Sequence, residues 1–259
     1  MKGPLHGSRA VVCDTDGVLL DSARLHAAAW KEAFDAFLGA FPGAAETTGR
    51  PGGPFRPFTA EDYRLYVDGK ARLDGAAAFL ASRGIDLPPG VPGDPPGHGS
   101  VAAVAARKEE LFAGRLRTHG VGVWPGTLRL LRALYGDGVP CAAVSASRHA
   151  RDLLAAGGLT ELLRTVVDGA EAARLGLPGK PDPALFLEAA ARLDVPPRRT
   201  AVVEDALAGV EAGRRGGFGL VVGVDRTAGP TSAADLRDHG ADLVVADLAE
   251  LLGGAREEE

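Results

Sequence analysis

Six short apolar runs, each rich in Val and Ala and each followed by Gly, Ser, Asp or Glu, constrain the fold of this chain most. They lie at residues 9–14, 139–145, 165–168, 200–204, 219–224 and 242–245. Such short runs, with turn residues behind them, are typical of strands that are buried on both faces. Helical patterns such as 182–193 and 205–216 alternate with the later runs. We therefore predict an α/β fold whose core is a doubly wound, parallel, Rossmann-like sheet.

A long insertion separates the first apolar run from the second. It contains helical patterns but no good strand, with the patterns near residues 22–38, 60–67, 74–84 and 101–118. Stretches rich in Pro and Gly at 39–58 and 86–99 predict long loops between these helices. We therefore predict an α-helical cap domain at 24–120, inserted into an α/β core domain formed by 1–23 and 121–259.

Composition and charge exclude several classes of partner. The formal net charge is -5, so the chain offers no basic surface for nucleic acid. No stretch reaches the length of a transmembrane helix, and no secretory signal pattern precedes residue 9. We therefore expect a cytoplasmic protein without a membrane or nucleic-acid partner. No coiled-coil pattern indicates an oligomer, so a monomer is the default expectation.

Cys13 and Cys141 are the two cysteines of the chain, and both fall in predicted strands. Two buried, reduced thiols are therefore favoured over a disulfide or a metal-binding pair. The acidic residues 257–259 are expected to form a solvated chain end.

Two carboxylates follow the first apolar run directly. Asp14 and Asp16 are separated by one residue, and Gly17 comes next. Open α/β sheets bind ligands at the carboxyl ends of their strands, and glycine allows the backbone to turn there. This arrangement suits one carboxylate as a nucleophile and the other as a proton donor.

Three further segments place polar residues at the ends of predicted strands or just beyond them. Ser145 ends the second strand, Lys180 precedes a helix that starts with proline, and the pair Glu204 and Asp205 ends the fourth strand. A carboxylate can attack phosphorus to form an aspartyl-phosphate. Mg²⁺ prefers a few carboxylates together with phosphate oxygens, and a hydroxyl and a lysine can bind the remaining oxygens. These residues together therefore indicate phosphoryl transfer.

Each of these residues also has a simpler interpretation when it is taken alone. Asp205 could be a helix N-cap, and Ser145 could be a cap or turn residue. Lys180 could be a solvated loop lysine, and Glu204 could pair with any neighbouring base. The combination in this order, on alternating strands and helices, favours the catalytic interpretation.

The four segments resemble the motifs of the haloacid dehalogenase superfamily. They read DTDGVLLDS at 14–22, VSAS at 144–147, GKPDP at 179–183 and VVEDALAGVEAG at 202–213. Within the Mg²⁺-dependent phosphotransferases of that superfamily, the chain is most similar to the β-phosphoglucomutase subfamily. The resemblance covers the whole core, and the insertion stands where helical caps stand in this superfamily.

The resemblance implies a role for each core residue. Asp14 would be the nucleophile and Asp16 the general acid and base, while Ser145 and Lys180 would hold the transferring phosphoryl group. The Mg²⁺ ion would be held by four residues, with Asp16 contributing its carbonyl oxygen: Asp14, Asp16, Glu204 and Asp205.

The resemblance also implies residues that bind the sugar phosphate. In the cap these are His26, Trp30, Gly69, Arg72 and Lys108, and after the second strand they are Ala146, Ser147, Arg148 and His149. Arg72 would bind the distal phosphate, because arginine can bind phosphate in a bidentate manner. Alternatives remain open at this point: Trp30 as cap core, His26 as a surface helix position, and Arg72 and Lys108 as solvated basic residues. His149 and Glu109 stand where the subfamily usually has asparagines.

The resulting expectation is a β-phosphoglucomutase activity that converts β-glucose 1-phosphate to glucose 6-phosphate. A sugar-phosphate phosphatase of the same fold is the alternative, with water in place of the sugar hydroxyl. Cleavage of a carbon–halogen bond fits poorly because that chemistry does not need Asp16. A non-catalytic binding protein is disfavoured because Asp14, Asp16 and Lys180 are all present. The subfamily resemblance also suggests a metabolic setting beside a disaccharide phosphorylase.

Overall fold

The structure is a computed structural model that describes residues 3–41, 56–226 and 232–253. The acidic end at 257–259 and most of the predicted loop at 39–58 lie outside the described residues. The chain divides into two compact units: Met1–Ser22 with Val121–Glu259, called the sheet unit here, and Ala23–Gly120, called the inserted unit.

A six-stranded parallel sheet forms the centre of the sheet unit. Its strands are β1 (Ala10–Asp14), β2 (Cys141–Val144), β3 (Thr165–Val167), β4 (Thr200–Glu204), β5 (Leu220–Val224) and β6 (Leu243–Val245). The order across the sheet is β3-β2-β1-β4-β5-β6. The order reverses beside β1, which is where doubly wound sheets bind ligands. The prediction of an α/β fold with a parallel sheet is confirmed.

Helices make up the described part of the inserted unit. They are α1 (Ala23–Ala40), α2 (Ala60–Asp62, continued by a π-helical turn at Tyr63–Val67), α3 (Arg72–Ser82) and α4 (Val101–His119). Helix α4 begins where the sequence provides a cap, because Ser100 Oγ accepts a hydrogen bond from Ala103 N at 3.0 Å. It ends at Gly120, whose φ of +63° suits glycine.

The helices of the sheet unit follow its strands along the chain. They are α5 (Pro125–Gly136), α6 (Ala150–Ala156), α7 (Gly169–Leu175), α8 (Ala184–Arg192), α9 (Leu207–Arg215) and α10 (Ala233–Asp238). Every residue of β1, β2 and β4 is buried, as the continuous Val- and Ala-rich runs predict. Helices α8 and α9 cover these strands with side chains such as Phe186 and Val210, which belong to the same apolar cluster as Val12 and Val202.

The inserted unit has an apolar cluster of its own. Phe34, on α1, contacts the rings of Trp30, Phe58 and Phe79, with centroid separations between 4.2 and 5.0 Å. All four aromatic side chains are buried. Burial of aromatic rings contributes strongly to stability, so these contacts hold the helices of the inserted unit together.

Cys13 and Cys141 are free, buried thiols, as predicted. Burial raises the pKa of the Cys141 thiol to about 12, so it stays protonated at neutral pH. Across residues 3–41, 56–226 and 232–253, no helix has the length and apolar character needed to cross a membrane.

Candidate active site

The carboxyl ends of three adjacent strands bring the predicted core residues together. Strand β1 ends at Asp14, which pairs in register with Val144 of β2. On its other side Cys13 pairs with Val203 of β4, and β4 ends one residue later at Glu204. Ser145 follows β2 directly. Asp14, Ser145 and Glu204 therefore lie side by side at one edge of the sheet, and all three are buried.

Lys180 is buried between two of these carboxylates. Its Nζ donates hydrogen bonds to Asp14 Oδ1 and Glu204 Oε1, and it lies 4.9 Å from the centroid of the Phe186 ring. Burial alone would lower the pKa of Lys180, but the two carboxylates outweigh burial and raise that pKa above its usual value. The interpretation of Lys180 as a solvated loop residue is wrong, and the lysine remains a cation.

Glu204 supports Lys180 from the far side of the cluster. Its Oε2 accepts a hydrogen bond from Ala206 N at 2.7 Å, while Oε1 accepts from Lys180. A Cβ atom at Gly209 would come within 1.8 Å of Glu204 Oε1, so the first turn of α9 approaches this carboxylate closely only because residue 209 lacks a side chain. Both Glu204 oxygens are thus engaged in this structure.

Asp16 is held by two serine hydroxyls. Ser22 Oγ donates to Asp16 Oδ1 at 2.5 Å, and Ser145 Oγ donates to Asp16 Oδ2 at 2.9 Å. The backbone N–H of Asp16 donates to Asp14 Oδ2 at 2.8 Å. These hydrogen bonds hold the Asp16 carboxylate in one orientation beside Asp14.

Ser22 was not among the residues predicted for the site. It is the last residue of the first motif and lies six positions after Asp16 along the chain. Its signal in the sequence is a hydroxyl that closes the motif in which Asp14 and Asp16 stand first.

Asp205 lies against the turn that follows β1. Gly17 has a φ of +88°, and a Cβ atom there would come within 1.8 Å of Asp205 Oδ2. The positive φ favours glycine at position 17, and a side chain there would have to displace the Asp205 carboxylate. The residue before α9 is Ala206, and it makes no side-chain cap, so the interpretation of Asp205 as the N-cap of this helix is wrong.

The donor set around this turn suits a hard divalent cation. Asp14 and Asp205 offer carboxylate oxygens and Asp16 offers a backbone carbonyl, which are the ligand types that Mg²⁺ prefers. Among the described residues, no three His, Cys, Asp or Glu side chains group together as a ready metal site. Both oxygens of Glu204 accept hydrogen bonds, from Lys180 and Ala206, and both oxygens of Asp14 do so as well, from Lys180 and Asp16 N. The predicted ligand set of Asp14, the Asp16 carbonyl, Glu204 and Asp205 stays a prediction.

The residues after Ser145 form a tight turn that leads to α6. Ser147 N donates to Ser145 Oγ at 3.0 Å, and His149 N donates to Ser147 Oγ at 3.2 Å. Arg148 is exposed, whereas Ala146 and His149 are half-buried. The turn places these four residues next to the buried serine, and their predicted contact with substrate stays a prediction.

Within the inserted unit, Lys108 and His26 form a pair. Lys108 Nζ lies 2.9 Å from His26 Nδ1 and 4.7 Å from the centroid of the Phe112 ring. The His26 ring stacks on Phe112 with a centroid separation of 4.0 Å. Lys108 is buried, so its interpretation as a solvated residue is wrong. Trp30 is buried against Phe34 at 4.8 Å, as expected for cap core.

Arg72 pairs with one of the two residues that depart from the subfamily pattern. Its Nη1 donates to Glu109 Oε2 at 3.0 Å, and both side chains are partly exposed. Gly69, with a φ of +70°, lies in the turn between α2 and α3. The predicted roles of Gly69 and Arg72 in substrate binding stay predictions.

Comparisons with known proteins agree on one family. A model of haloacid dehalogenase-like hydrolases matches residues 8–217. A Mycobacterium bovis protein named beta-phosphoglucomutase is 48% identical over 244 residues, which cover 94% of this chain and 91% of that protein. An uncharacterized glycosyl hydrolase of Mycobacterium tuberculosis is 39% identical over 246 residues, which cover 95% of this chain but 18% of that protein.

Solved structures show the same fold. The crystal structure of beta-phosphoglucomutase from Clostridium difficile has a TM-score of 0.69 with 20% identity, covering 94% of this chain and 93% of that one. The fold, the family model and the relatives therefore agree on the same family.

Proposed function

Because the chain belongs to the haloacid dehalogenase-like hydrolase family, we propose that it is a β-phosphoglucomutase that acts through an aspartyl-phosphate. The buried Asp14, with Lys180 bound to it and Asp16 two residues away, carries this proposal. The similarity to a mycobacterial protein of that name supports the choice of β-glucose 1-phosphate as substrate and glucose 6-phosphate as product.

Asp14 is the nucleophile in this mechanism. One of its carboxylate oxygens attacks a phosphoryl group of a sugar bisphosphate, and the bond from phosphorus to the sugar oxygen breaks. Lys180 contributes a fixed positive charge beside Asp14, which stabilises the charge that develops on the phosphoryl oxygens. No reorganisation of the lysine is needed, because Glu204 already holds it.

Asp16 is the general acid and base. The 6-hydroxyl of β-glucose 1-phosphate attacks the phosphorylated Asp14, and Asp16 takes the proton of that hydroxyl. The resulting bisphosphate returns its 1-phosphoryl group to Asp14, and Asp16 gives the proton to the departing oxygen. The hydrogen bonds from Ser22 and Ser145 hold the Asp16 carboxylate in one orientation.

A divalent metal, which we propose to be Mg²⁺, would be held by Asp14, the Asp16 carbonyl, Glu204 and Asp205. When bound, it neutralises charge on the phosphoryl oxygens and so reduces their repulsion of the attacking carboxylate. The acidic side chains of this edge provide the oxygen ligands that such an ion needs.

The mutase proposal requires a second site for the phosphate that is not being transferred. We assign it to Arg72, because arginine binds phosphate through parallel hydrogen bonds. His26, Trp30, Gly69 and Lys108 of the inserted unit, and Ala146, Ser147, Arg148 and His149 after β2, are proposed as the other residues that recognise the sugar phosphate.

The reaction that supplies the substrate is suggested by one relative. The chain aligns with a part of a longer protein that is named an uncharacterized glycosyl hydrolase. A sugar 1-phosphate arises when a glycosidic bond is cleaved by phosphate. We therefore propose that this enzyme follows a phosphate-dependent cleavage of a disaccharide, as a monomer in the cytoplasm.

A sugar-phosphate phosphatase is the second candidate, since the matching family model describes hydrolases. The decisive experiment mixes the protein with Mg²⁺, β-glucose 1-phosphate and a trace of glucose 1,6-bisphosphate, and follows glucose 6-phosphate and free phosphate together. Glucose 6-phosphate with little free phosphate supports the mutase. Free phosphate without glucose 6-phosphate establishes the phosphatase instead. Asp14→Asn is the control, since it removes the nucleophile and must abolish both products.

A further inference from the structure

Arg226 is tied to the turn that follows β1, although it lies far from the four motifs and beyond the residues that the family model matches. It comes two residues after β5, at the same edge of the sheet as Asp14. Its Nε donates to the carbonyl oxygen of Gly17 at 3.3 Å, and its Nη2 donates to that of Val18 at 3.2 Å. The guanidinium group therefore binds two consecutive carbonyls of the turn.

The other contacts of Arg226 fix the position of its guanidinium group. Nη1 donates to Ala246 O at 3.1 Å and to Asp247 Oδ2 at 3.3 Å. The guanidinium lies over the ring of Trp124, with its carbon 4.4 Å from the centroid. The side chain is 15% exposed. All three nitrogens thus have partners, and an aromatic ring covers one face, so the group has little freedom to move.

The turn that Arg226 holds is the one that contacts Asp205. Because a Cβ atom at Gly17 would lie 1.8 Å from Asp205 Oδ2, the backbone of Gly17 sets how closely this carboxylate can approach. The neighbouring carbonyl of Val18 also accepts a hydrogen bond from Thr127 Oγ1 at 3.1 Å. Two side chains, those of Arg226 and Thr127, therefore hold the carbonyl of Val18. The carbonyl of Gly17 accepts its hydrogen bond from Arg226.

We propose that Arg226 is a positioning residue for the divalent metal, acting through Gly17 on Asp205 and on the adjacent carbonyl of Asp16. This inference rests on the proposed function, because it concerns the metal site of that reaction. The carbonyl of Asp16 belongs to the peptide that precedes Gly17, so rotation at Gly17 would move both this carbonyl and the surface against which Asp205 packs. Arg226 restricts this rotation by holding the carbonyl on one side of Gly17, while on the other side Gly17 N donates to Leu20 O at 2.8 Å.

Removing a group that contacts a metal ligand directly typically reduces metal affinity by about 10- to 100-fold. Arg226 acts one step further away, through Gly17, so we expect a loss of about 10-fold for Arg226→Ala. Arg226→Lys is expected to lose less affinity, because lysine keeps the positive charge but lacks the planar fork that reaches two carbonyls at once. If Arg226 served only to stabilise the fold, metal affinity would not fall in the order wild type, Arg226→Lys and Arg226→Ala.

The test measures Mn²⁺ binding, with the electron paramagnetic resonance signal of free Mn²⁺ as the readout, in the full chain and its variants. Arg214→Ala is the matched control. Arg214 also donates from Nε and Nη2 to a backbone carbonyl, that of Gly240, and also pairs with an aspartate, Asp242. Thermal unfolding of each metal-free protein measures the stability change separately.

The inference predicts weaker Mn²⁺ binding by Arg226→Ala, an intermediate affinity for Arg226→Lys, and wild-type affinity for Arg214→Ala. Wild-type affinity in both Arg226 variants would overturn the inference, and so would an equal loss in Arg214→Ala. If Arg226→Ala does not fold, Arg226→Lys against wild type decides the question. Absence of Mn²⁺ binding by the wild-type protein would instead contradict the metal-dependent mechanism itself, so the two failures are distinguishable.

Discussion

Lys180 Nζ donates a hydrogen bond to Asp14 Oδ1 although 166 positions separate the two residues along the chain. The same nitrogen binds Glu204, so one cation pairs with two buried carboxyl groups. Removing one partner of a buried ion pair is strongly destabilising, because it leaves a charge without compensation in a poorly solvated place. Lys180 therefore contributes both to folding and to the chemistry of the candidate nucleophile.

Lys180→Met is expected to lower the free energy of unfolding at neutral pH by about 3 kcal/mol and to abolish turnover. Methionine fills much of the same volume but leaves Asp14 and Glu204 without their cation. Urea unfolding measures the first effect, and Lys31→Met is the control, since Lys31 forms an exposed pair with Asp35 that contributes little. Equal stabilities of Lys180→Met and wild type would contradict the prediction.

Ser22→Ala is expected to lower kcat by about 10-fold, because the variant removes one hydrogen bond to the Asp16 carboxylate. Ser145 still donates to the other oxygen, so we expect a reduction rather than a complete loss. The measurement is the steady-state rate of formation of glucose 6-phosphate. Ser82→Ala removes a hydroxyl that donates to Phe79 O on a helix of the inserted unit, and it should leave kcat unchanged.

Arg72→Ala is expected to reduce mutase turnover by at least about 10-fold while hydrolysis of a small aryl phosphate falls much less. An aryl phosphate has only one phosphate group, so its hydrolysis does not depend on a second phosphate-binding site. Both rates are measured for the same preparation, and Arg107→Ala is the control, because Arg107 pairs with Glu110 on the surface. Similar losses in both assays would argue against a role for Arg72 in binding the distal phosphate.

Asp62→Asn should destabilise the protein by about 2 kcal/mol near neutral pH and by progressively less as the pH falls below about 3.9. Burial alone would raise the pKa of Asp62, but hydrogen bonds from Thr59 and the charges of Arg83 and Arg56 lower it below its usual value.

The lowered pKa of Asp62 determines how its stabilising effect changes with pH. The stabilising effect is fully present above the pKa of the unfolded state, about 3.9, and is lost as the pH falls through the lower pKa of the folded state. Urea unfolding at neutral pH and at a series of acidic pH values tests the prediction. Glu61→Gln, one position earlier and exposed, is the control. A difference between wild type and Asp62→Asn that stays constant with pH would contradict the electrostatic explanation.

Most of the fold could be predicted because burial on both faces leaves a clear signature in the sequence. Strands such as Ala10–Asp14 and Thr200–Glu204 are continuous apolar runs with a carboxylate at the end. Lys180 and Asp14 could be assigned because their motifs are local. Ser22 and Arg226 were missed because their importance comes from contacts with Asp16 and Gly17 that only the folded chain creates. A sequence also does not show that both oxygens of Glu204 accept hydrogen bonds, from Lys180 and Ala206.

The central position of β1 in the sheet determines when the candidate active site can form during protein synthesis. Strand β1 is made first, yet Val11 pairs with Cys141 on one side and with Ala201 on the other. A ribosome must therefore translate the whole inserted unit, and then β4, before β1 has both neighbours. Until then the apolar strand that carries the nucleophile lacks its sheet, and exposed strand edges favour aggregation. The inserted unit buries an aromatic cluster of its own and can fold during this delay. It can therefore be complete before the sheet edge that carries the candidate active site has formed.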